Sequence, residues 1–553
     1  MALAPSNPLV KNFNSLPRKE KAPSGRVPNS WHFDVRYVQL EPTPSHVLAL
    51  INPLSQFIHM ERLPLGLAPN ESGIAFFPES AKEAAPEVAK ALLHAFVNKF
   101  GEEKVMGDKA PPAFRPWRLT TSDKALAVEV GNELKRIGVS PDELHKVGVA
   151  GPTVIRTMDE AFERLFSTLK QSLGLTGLQG AVIRTPQYIG FSSLKFKPHD
   201  RFRHLEEETG DMHLMNLALE YGQKLVNARP PMESDVQTKV MLQQQAQEVQ
   251  VTLQRVKNKP AKVIKAEADK GDCNAAFDYG VRLLVGLGCK ADRTQARVYL
   301  IKALSSPDAS NELKATAHGL LITWYIDGWE HDFRSRNMFA ACHHANLAAR
   351  YCKLVSPKKV HSSPAVLYFM SKVFQPRAEE HMEVYMWYKD AVAAMEFRNK
   401  QYASGKQKME GRRLRMPNRY RCAAVGCGIE ADTGRMLMQC SGKCDPDKKP
   451  HYCSRECQVA DWPNHKAFCK PGMPCSVLDP DTPTVSGSGS AGPASKEGSI
   501  QVPITHADGS THVVSSSTLD PQMLREIRDY AQGANLSGTV PSSLHVEMER
   551  VVI

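Results

Sequence analysis

The sequence predicts a multidomain chain: an N-terminal α/β (or α+β) domain, an α-helical repeat (solenoid-like) region, a short segment of close Cys/His pairs and a small C-terminal αβ satellite. Three observations carry this. Strand-like and helix-like apolar patterns mix before residue 205, helical spacing dominates from 210 to 400, and close Cys/His pairs crowd the last quarter. The chain has 553 residues, room for roughly three or four domains. No stretch approaches the ~18–20 apolar residues of a membrane span.

Residues 1–30 are rich in Pro and Lys and read as a disordered tail. They lack the apolar core of a secretory signal, although a basic, acid-poor start also suits a transit peptide. Without a secretory signal the thiols are expected to stay reduced, which favours metal over disulfides. The expected location is nuclear and/or cytoplasmic.

In 31–205, segments 32–40, 46–51, 73–77 and 180–185 read as strands. Ala84–Phe100 reads as an amphipathic helix through Val88, Leu92, Phe96 and Phe100. Ser122 is a candidate cap for a helix bearing Leu126, Val130, Leu134 and Ile137. Thr157 and Glu160 form a candidate capping box for one bearing Phe162, Leu165, Phe166, Leu169 and Leu173, with Gly174 as its stop. The domain contains no GxGxxG, Walker loop, GxSxG or HExxH. His59 and His94 stand alone in sequence and read as surface or core histidines.

In 210–400, Ala275, Ala276, Gly280, Leu284, Gly286, Gly288, Asp292 and Ala296 place small residues where two helices approach and glycines where the chain turns. This segment, 268–304, resembles a Sel1-like repeat, a relative of the tetratricopeptide unit. Echoes follow at 315–328 with 339–349, and at 365–374 with 384–394, a spacing of about 40–50 residues that suits helix-pair solenoids. An ordinary helical bundle is the competing reading. Trp324, Tyr325, Trp387 and Tyr388 read as core, and Cys273, Cys289, Cys342 and Cys352 as small buried hydrophobes.

The net charge is +11. Nine Lys/Arg and a single Glu lie between Arg398 and Arg421. Residues 401–421 read as a basic linker; the run also suits nuclear import or nucleic-acid contact, although aromatic interleaving is thin (Tyr402 and Tyr420).

The pairs Cys422/Cys427, Cys440/Cys444, Cys453/Cys457 and His465/Cys469 supply eight ligands, enough for two closed tetrahedral sites with no coordination position left for a reacting water. A segment this short cannot bury enough apolar surface to fold alone. The run from Tyr452 to Cys469, YCSRECQVADWPNHKAFC, resembles the MYND zinc finger over 422–469. The resemblance implies a cross-braced order: Cys422, Cys427, Cys453 and Cys457 on one Zn2+, and Cys440, Cys444, His465 and Cys469 on the other. The first pair encloses four residues and the second three, longer knuckles than the family's usual two. Cys475 is left as a free thiol. The resemblance also implies protein partners, with proline-containing motifs of the PxLxP kind gripped by Ser441, Gln458 and Trp462.

Residues 476–498 read as a flexible linker. Within 499–553, a hairpin with a D-G turn and a helix opened by Asp520 and Pro521 form the satellite, expected to pack on something larger. The reading is a non-enzymatic scaffold or adaptor, with a tie to transcriptional or developmental regulation implied by the finger alone. The segments that mark a SET-type lysine methyltransferase are not found. The alternatives are an activity in the N-terminal domain and a nucleic-acid binder using 398–421.

Overall fold

The computed structural model describes residues 8–40, 44–66, 73–101, 112–191, 211–231, 238–326, 335–356, 362–431, 436–477, 500–505, 511–516 and 520–533. It divides into two compact units, Met1–Phe397 and Arg398–Ile553.

The first unit is built on a five-stranded mixed sheet in the order β3-β2-β1-β4-β5. Strands β1 (Ser30–Val38), β2 (Ser45–Ile51) and β3 (Ile58–Leu63) run antiparallel. Strands β4 (Arg118–Thr121) and β5 (Gly148–Val149) continue it in parallel. β1 and β2 are buried along nearly their whole length, so both faces are covered. Buried charge on β1 is therefore paired: Arg36 bonds Asp159 at 2.6 Å and lies 3.4 Å from Asp34.

Helices α1 (Pro8–Ser15), α2 (Ala81–Val97), α3 (Lys124–Arg136) and α4 (Pro152–Ser172) accompany the sheet. α1 corrects the expected tail. Val10 and Phe13 are buried, and Phe13 meets Phe96 edge-on at 6.3 Å, so two apolar anchors outweigh the Pro- and Lys-rich composition. α2 begins three residues before the expected start, with Ser80 capping the Glu83 amide. The cap of α3 is Asp123, which accepts from the Leu126 amide at 2.8 Å, while the amide of Ser122 donates to Asp34. Thr157 is no cap: α4 already starts at Pro152, and the Thr157 hydroxyl donates to the Thr153 carbonyl. Gly174, at φ +74°, does follow the end of that helix. Two expected strands are absent. Gly73–Ala75 is a 3-10 turn pressed against Ser45, and Gly177–Ala181 is a short helix.

Among the described residues the rest of the unit is mainly helical: α5 (Asp211–Ala228), α6 (Thr238–Asn258), α7 (Ala261–Asp269), α8 (Cys273–Val285), α9 (Arg293–Leu304), α10 (Asn311–Ile326) and α11 (Ser335–Val355). The small-residue pattern works as read. Asp272 caps α8, Gly286 ends it in the left-handed conformation, and Asp292 caps α9. A Cβ on Gly280 would lie 3.1 Å from Leu300, so α8 and α9 meet closely there. α10 and α11 form a second pair. The third echo loses regularity, passing from a helix at Pro364–Tyr368 through a π-turn to a 3-10 segment at Gln375–Glu380. Helical character is thus plain, while a repeating solenoid is not established.

The expected divide near 205–210 separates no core. One apolar cluster runs from Phe33, Leu48 and Phe96 to Leu320, Phe339 and Phe369. Arg297 reaches back to the Ile74 carbonyl at 2.8 Å, and Arg336 to that of Pro78 at 3.0 Å. Cys342 is buried in that cluster and Cys273 in a second one, against which the half-buried Cys289 packs; Cys352 is buried as well. Burial lifts the Cys342 thiol well above its ordinary pKa.

Helix α12 (Lys389–Arg415) carries most of the basic run, so 401–415 is helical rather than linker; Lys, Arg, Gln and Met are all good helix formers. The second unit then holds β6 (Glu430–Ala431), β7 (Met438–Gln439) paired with β8 (His451–Tyr452), and α13 (Arg455–His465). After the linker, β9 (Ile500–Thr505) and β10 (Thr511–Ser516) form the hairpin, and α14 (Pro521–Gly533) the helix. β9 pairs with β6, giving a sheet in the order β10-β9-β6. The larger body on which the satellite packs is therefore the finger. Ile500, Val502 and Leu524 share one core with Ile429, Leu437 and Tyr452. The D-G turn, most of 476–498 and the terminal VVI lie outside the described residues.

Candidate metal centre

The ligands come from two kinds of local structure. Cys422 and Cys427 flank a tight knuckle, in which the Cys427 amide bonds the Ala424 carbonyl and Gly426 and Gly428 take positive φ. Cys453 follows β8, and Cys457 lies in the first turn of α13, where Ser454 caps the helix and accepts from the Cys457 amide. Cys440 and Cys444 bracket a second knuckle. His465 ends α13, and Cys469 follows one short turn later.

These segments converge into two four-ligand groups, Cys422–Cys427–Cys453–Cys457 and Cys440–Cys444–His465–Cys469, with all ligand atoms of a group within 4.8 Å of one another. This is the interleaved order expected. In the first, Cys453 Sγ is 3.5 Å from the sulfurs of both Cys427 and Cys457. In the second, Cys444 Sγ lies 3.8 Å from Cys440 Sγ, 3.5 Å from Cys469 Sγ and 3.4 Å from His465 Nε2. Zn–S bonds of about 2.3 Å in a tetrahedron put neighbouring sulfurs about 3.8 Å apart. A disulfide needs about 2.05 Å. The donor set therefore fits two zinc ions, and each site is closed by four protein ligands. Gly442 shows how tight the second knuckle is: a Cβ there would collide with Cys469 Sγ.

A second layer holds the ligands. His465 Nδ1 is 2.8 Å from Ser476 Oγ, which fixes Nε2 as the metal-facing nitrogen. The Gly442 amide donates to Cys440 Sγ at 3.3 Å. The buried Tyr452 hydroxyl donates to Asp461 at 2.9 Å, tying β8 to α13. Burial, then that carboxylate, raises the Tyr452 pKa.

The remaining expected site residues are placed as follows. Trp462 is 42% exposed, its ring edge-on to His465 at 6.1 Å. Gln458, half-buried, lies one turn earlier on the same face of α13. Ser441 is exposed in the second knuckle. Cys475 belongs to neither ligand group. His451 bonds the Asn418 carbonyl through Nδ1 at 2.8 Å. His59 and His94, distant in sequence, meet on one oxygen of Glu61 at 2.9 and 3.0 Å. Their bonds pull the Glu61 pKa down against its burial. Arg421 pairs with Glu430 at 3.1 Å.

Sequence reasoning missed Ser476, Asp461, Arg525 and Arg528. Arg525 Nη1 is 3.2 Å from Cys457 Sγ, and Arg528 Nη1 is 2.5 Å from the Cys427 carbonyl oxygen. The available signal was two arginines three apart on an amphipathic helix, a pattern with no intrinsic address. Among the described residues no helix is long and apolar enough to cross a membrane.

Comparison with known proteins bears on this centre. Residues 422–469 match the family model of the MYND finger. A 49-residue stretch is 46% identical to the zinc finger MYND domain-containing protein 10 homolog of Drosophila melanogaster, covering 8% of this chain and 11% of that protein. No solved structure matches. The segment is a MYND zinc finger whose two clusters suit two zinc ions, and its family points to zinc-dependent protein–protein interaction.

Proposed function

We propose that this protein is a non-enzymatic scaffold or adaptor whose finger grips a short proline-containing segment of a protein partner, while its helical region offers further binding surface. The observation that carries this reading is Trp462. It is a large indole left open on a helix fixed by two metal sites. Closed four-ligand sites favour a structural use of zinc. A flat exposed indole suits the ring of a proline, and the Gln458 amide one turn earlier suits an extended peptide backbone. A role in transcriptional or developmental regulation, in the nucleus and/or cytoplasm, belongs to the same proposal.

Titration with a PxLxP-type peptide, with zinc measured in parallel, tests it. Trp462→Ala is expected to weaken binding by about 2 kcal/mol, roughly thirtyfold, with both zincs retained. Gln458→Ala is expected to cost on the order of 1 kcal/mol. Unchanged affinity in Trp462→Ala removes the finger from partner binding and leaves it to the helical region.

A second reading, nucleic-acid contact, draws on α12, which lays much of the basic run along one helix. Its signature is an affinity that falls steeply with salt. Binding that is insensitive to salt rules it out.

A further inference from the structure

We infer that α14 is an electrostatic clamp on the four-thiolate zinc site, with Arg525 as the counter-charge to the Cys457 thiolate. β9 and α14 would then complete that site rather than form a separate module.

Both ligand pairs of the first site are touched by this one helix. Arg525 Nη1 lies 3.2 Å from Cys457 Sγ, in the third pair. One turn on, Arg528 Nη1 reaches the carbonyl oxygens of Cys427 at 2.5 Å and Gly426 at 3.4 Å, in the first knuckle. Residues three apart on a helix share a face, so one orientation of α14 makes both contacts. That orientation is fixed independently. Leu524 is buried beside the ligand cysteines, as are Ile500 and Val502 of β9. β9 in turn pairs with β6, Ile500 opposite Ala431 and Gln501 opposite Glu430, a few residues beyond Cys427.

The charges explain why arginine is here. Four thiolates around a doubly charged cation leave two negative charges, whereas three thiolates and a neutral imidazole leave one. The more negative site receives a guanidinium. The other has neutral partners, the Gly442 amide on Cys440 and Ser476 on His465. An N–H donor bearing full charge bonds an anionic acceptor about twice as strongly as a neutral one. It also covers the sulfur lone pair that a proton or a competing reagent must reach before zinc can leave. By linkage, a helix that docks better on the metallated site holds the metal more tightly, and metal holds the helix.

Zinc release from the full-length protein to excess 4-(2-pyridylazo)resorcinol tests the clamp. Arg525→Gln is expected to speed release of one zinc of the two by about 10- to 100-fold, the usual cost of losing an outer-shell partner. Arg525→Lys is expected to recover part of the lost retention, because it restores the charge without the fork. Cobalt substitution identifies the affected site, since thiolate-to-cobalt absorption is stronger for four sulfurs than for three. Arg528→Gln, which leaves the sulfur contact intact, serves as the second variant and is expected to have a smaller effect at the same site. Wild-type release of both ions from Arg525→Gln overturns the inference. So does equal acceleration of both ions, or a Lys variant as fast as the Gln variant, since each marks a packing role without charge.

Discussion

The two units of this chain hold buried cysteines for opposite reasons. In the first, Cys342 is fully buried on α11 among Phe339, Ala345 and their neighbours, and desolvation keeps its thiol protonated. In the second, Cys457 is also buried, but its neighbours are three other sulfurs and an arginine. The first environment rejects charge and the second is organised around it. Fold stability follows the same division. The first unit rests on apolar area, and the second on metal bonds worth on the order of 10–16 kcal/mol per structural zinc.

The largest expected effect tests that division directly. Cys457→Ser opens the first zinc site, so the finger should unfold and zinc content should fall. Cys342→Ser should leave both zincs in place. Elemental analysis together with cooperative unfolding of the first unit separates the two. If Cys457→Ser keeps two zincs, the assigned ligand set is wrong.

The converse follows at smaller magnitude. Phe339→Ala removes a ring that is 1% exposed in the shared core. A loss of about 3–5 kcal/mol is expected. Zinc content should not change, because no ligand lies in that cluster. Denaturant titration with parallel metal analysis checks both statements.

Acid should weaken the units by separate routes. His318 and His344 lie with their Nδ1 atoms 2.9 Å apart in the first unit. Burial, followed by the nearby His343 and Lys314 charges, holds His318 down at about 3, and burial also depresses His344. A histidine with a lowered folded pKa is neutral in the fold and protonated in the unfolded chain below about 6.5. Its contribution is therefore complete above that pH and is lost as pH falls from about 6.5 toward 3. His318→Phe should flatten the slope of stability against pH over this window without altering acid release of zinc. An unchanged slope would place the sensitivity elsewhere.

The same contrast explains what could be read from the sequence. The two four-ligand groups of the finger were legible, because ligand chemistry is local: each pair sits on one turn of chain, and the spacing survives any packing. The helix pair α8–α9 was legible for a similar reason, since Asp272, Gly286 and Asp292 act within their own termini. Short apolar runs were not. GIAFF and GAVIRT carry strand-like composition, yet Gly73 is pinned in a turn against Ser45, and Gly180 and Ala181 lie in a short helix. β3, the segment IHMERL, was missed, because its half-buried polar residues are accommodated by β2 and by Glu61 meeting two histidines. Docking of β9 and α14 on the finger depends on contacts across some seventy residues, which no local pattern announces.

The smallest expected effect sharpens the comparison most finely, because it places one local device in both settings. Asp272 caps α8 by accepting from the amides of Asn274 and Ala275 at 2.8 and 3.0 Å. Ser454 caps α13 by accepting from the Cys457 amide at 3.4 Å. Replacing a capping side chain by Ala typically costs about 1 kcal/mol. In the first unit no candidate metal ligand flanks the turn among the described residues, so Asp272→Ala should show that full loss in denaturant unfolding. In the finger, Cys453 and Cys457 flank Ser454 and are both ligands of one metal, so the start of α13 stays closed without its cap. Ser454→Ala should therefore change unfolding of the zinc-loaded finger by less than about 0.5 kcal/mol, a surface-like value. Equal losses at the two caps would mean that the metal does not set the start of α13, and that helix would owe its position to ordinary packing.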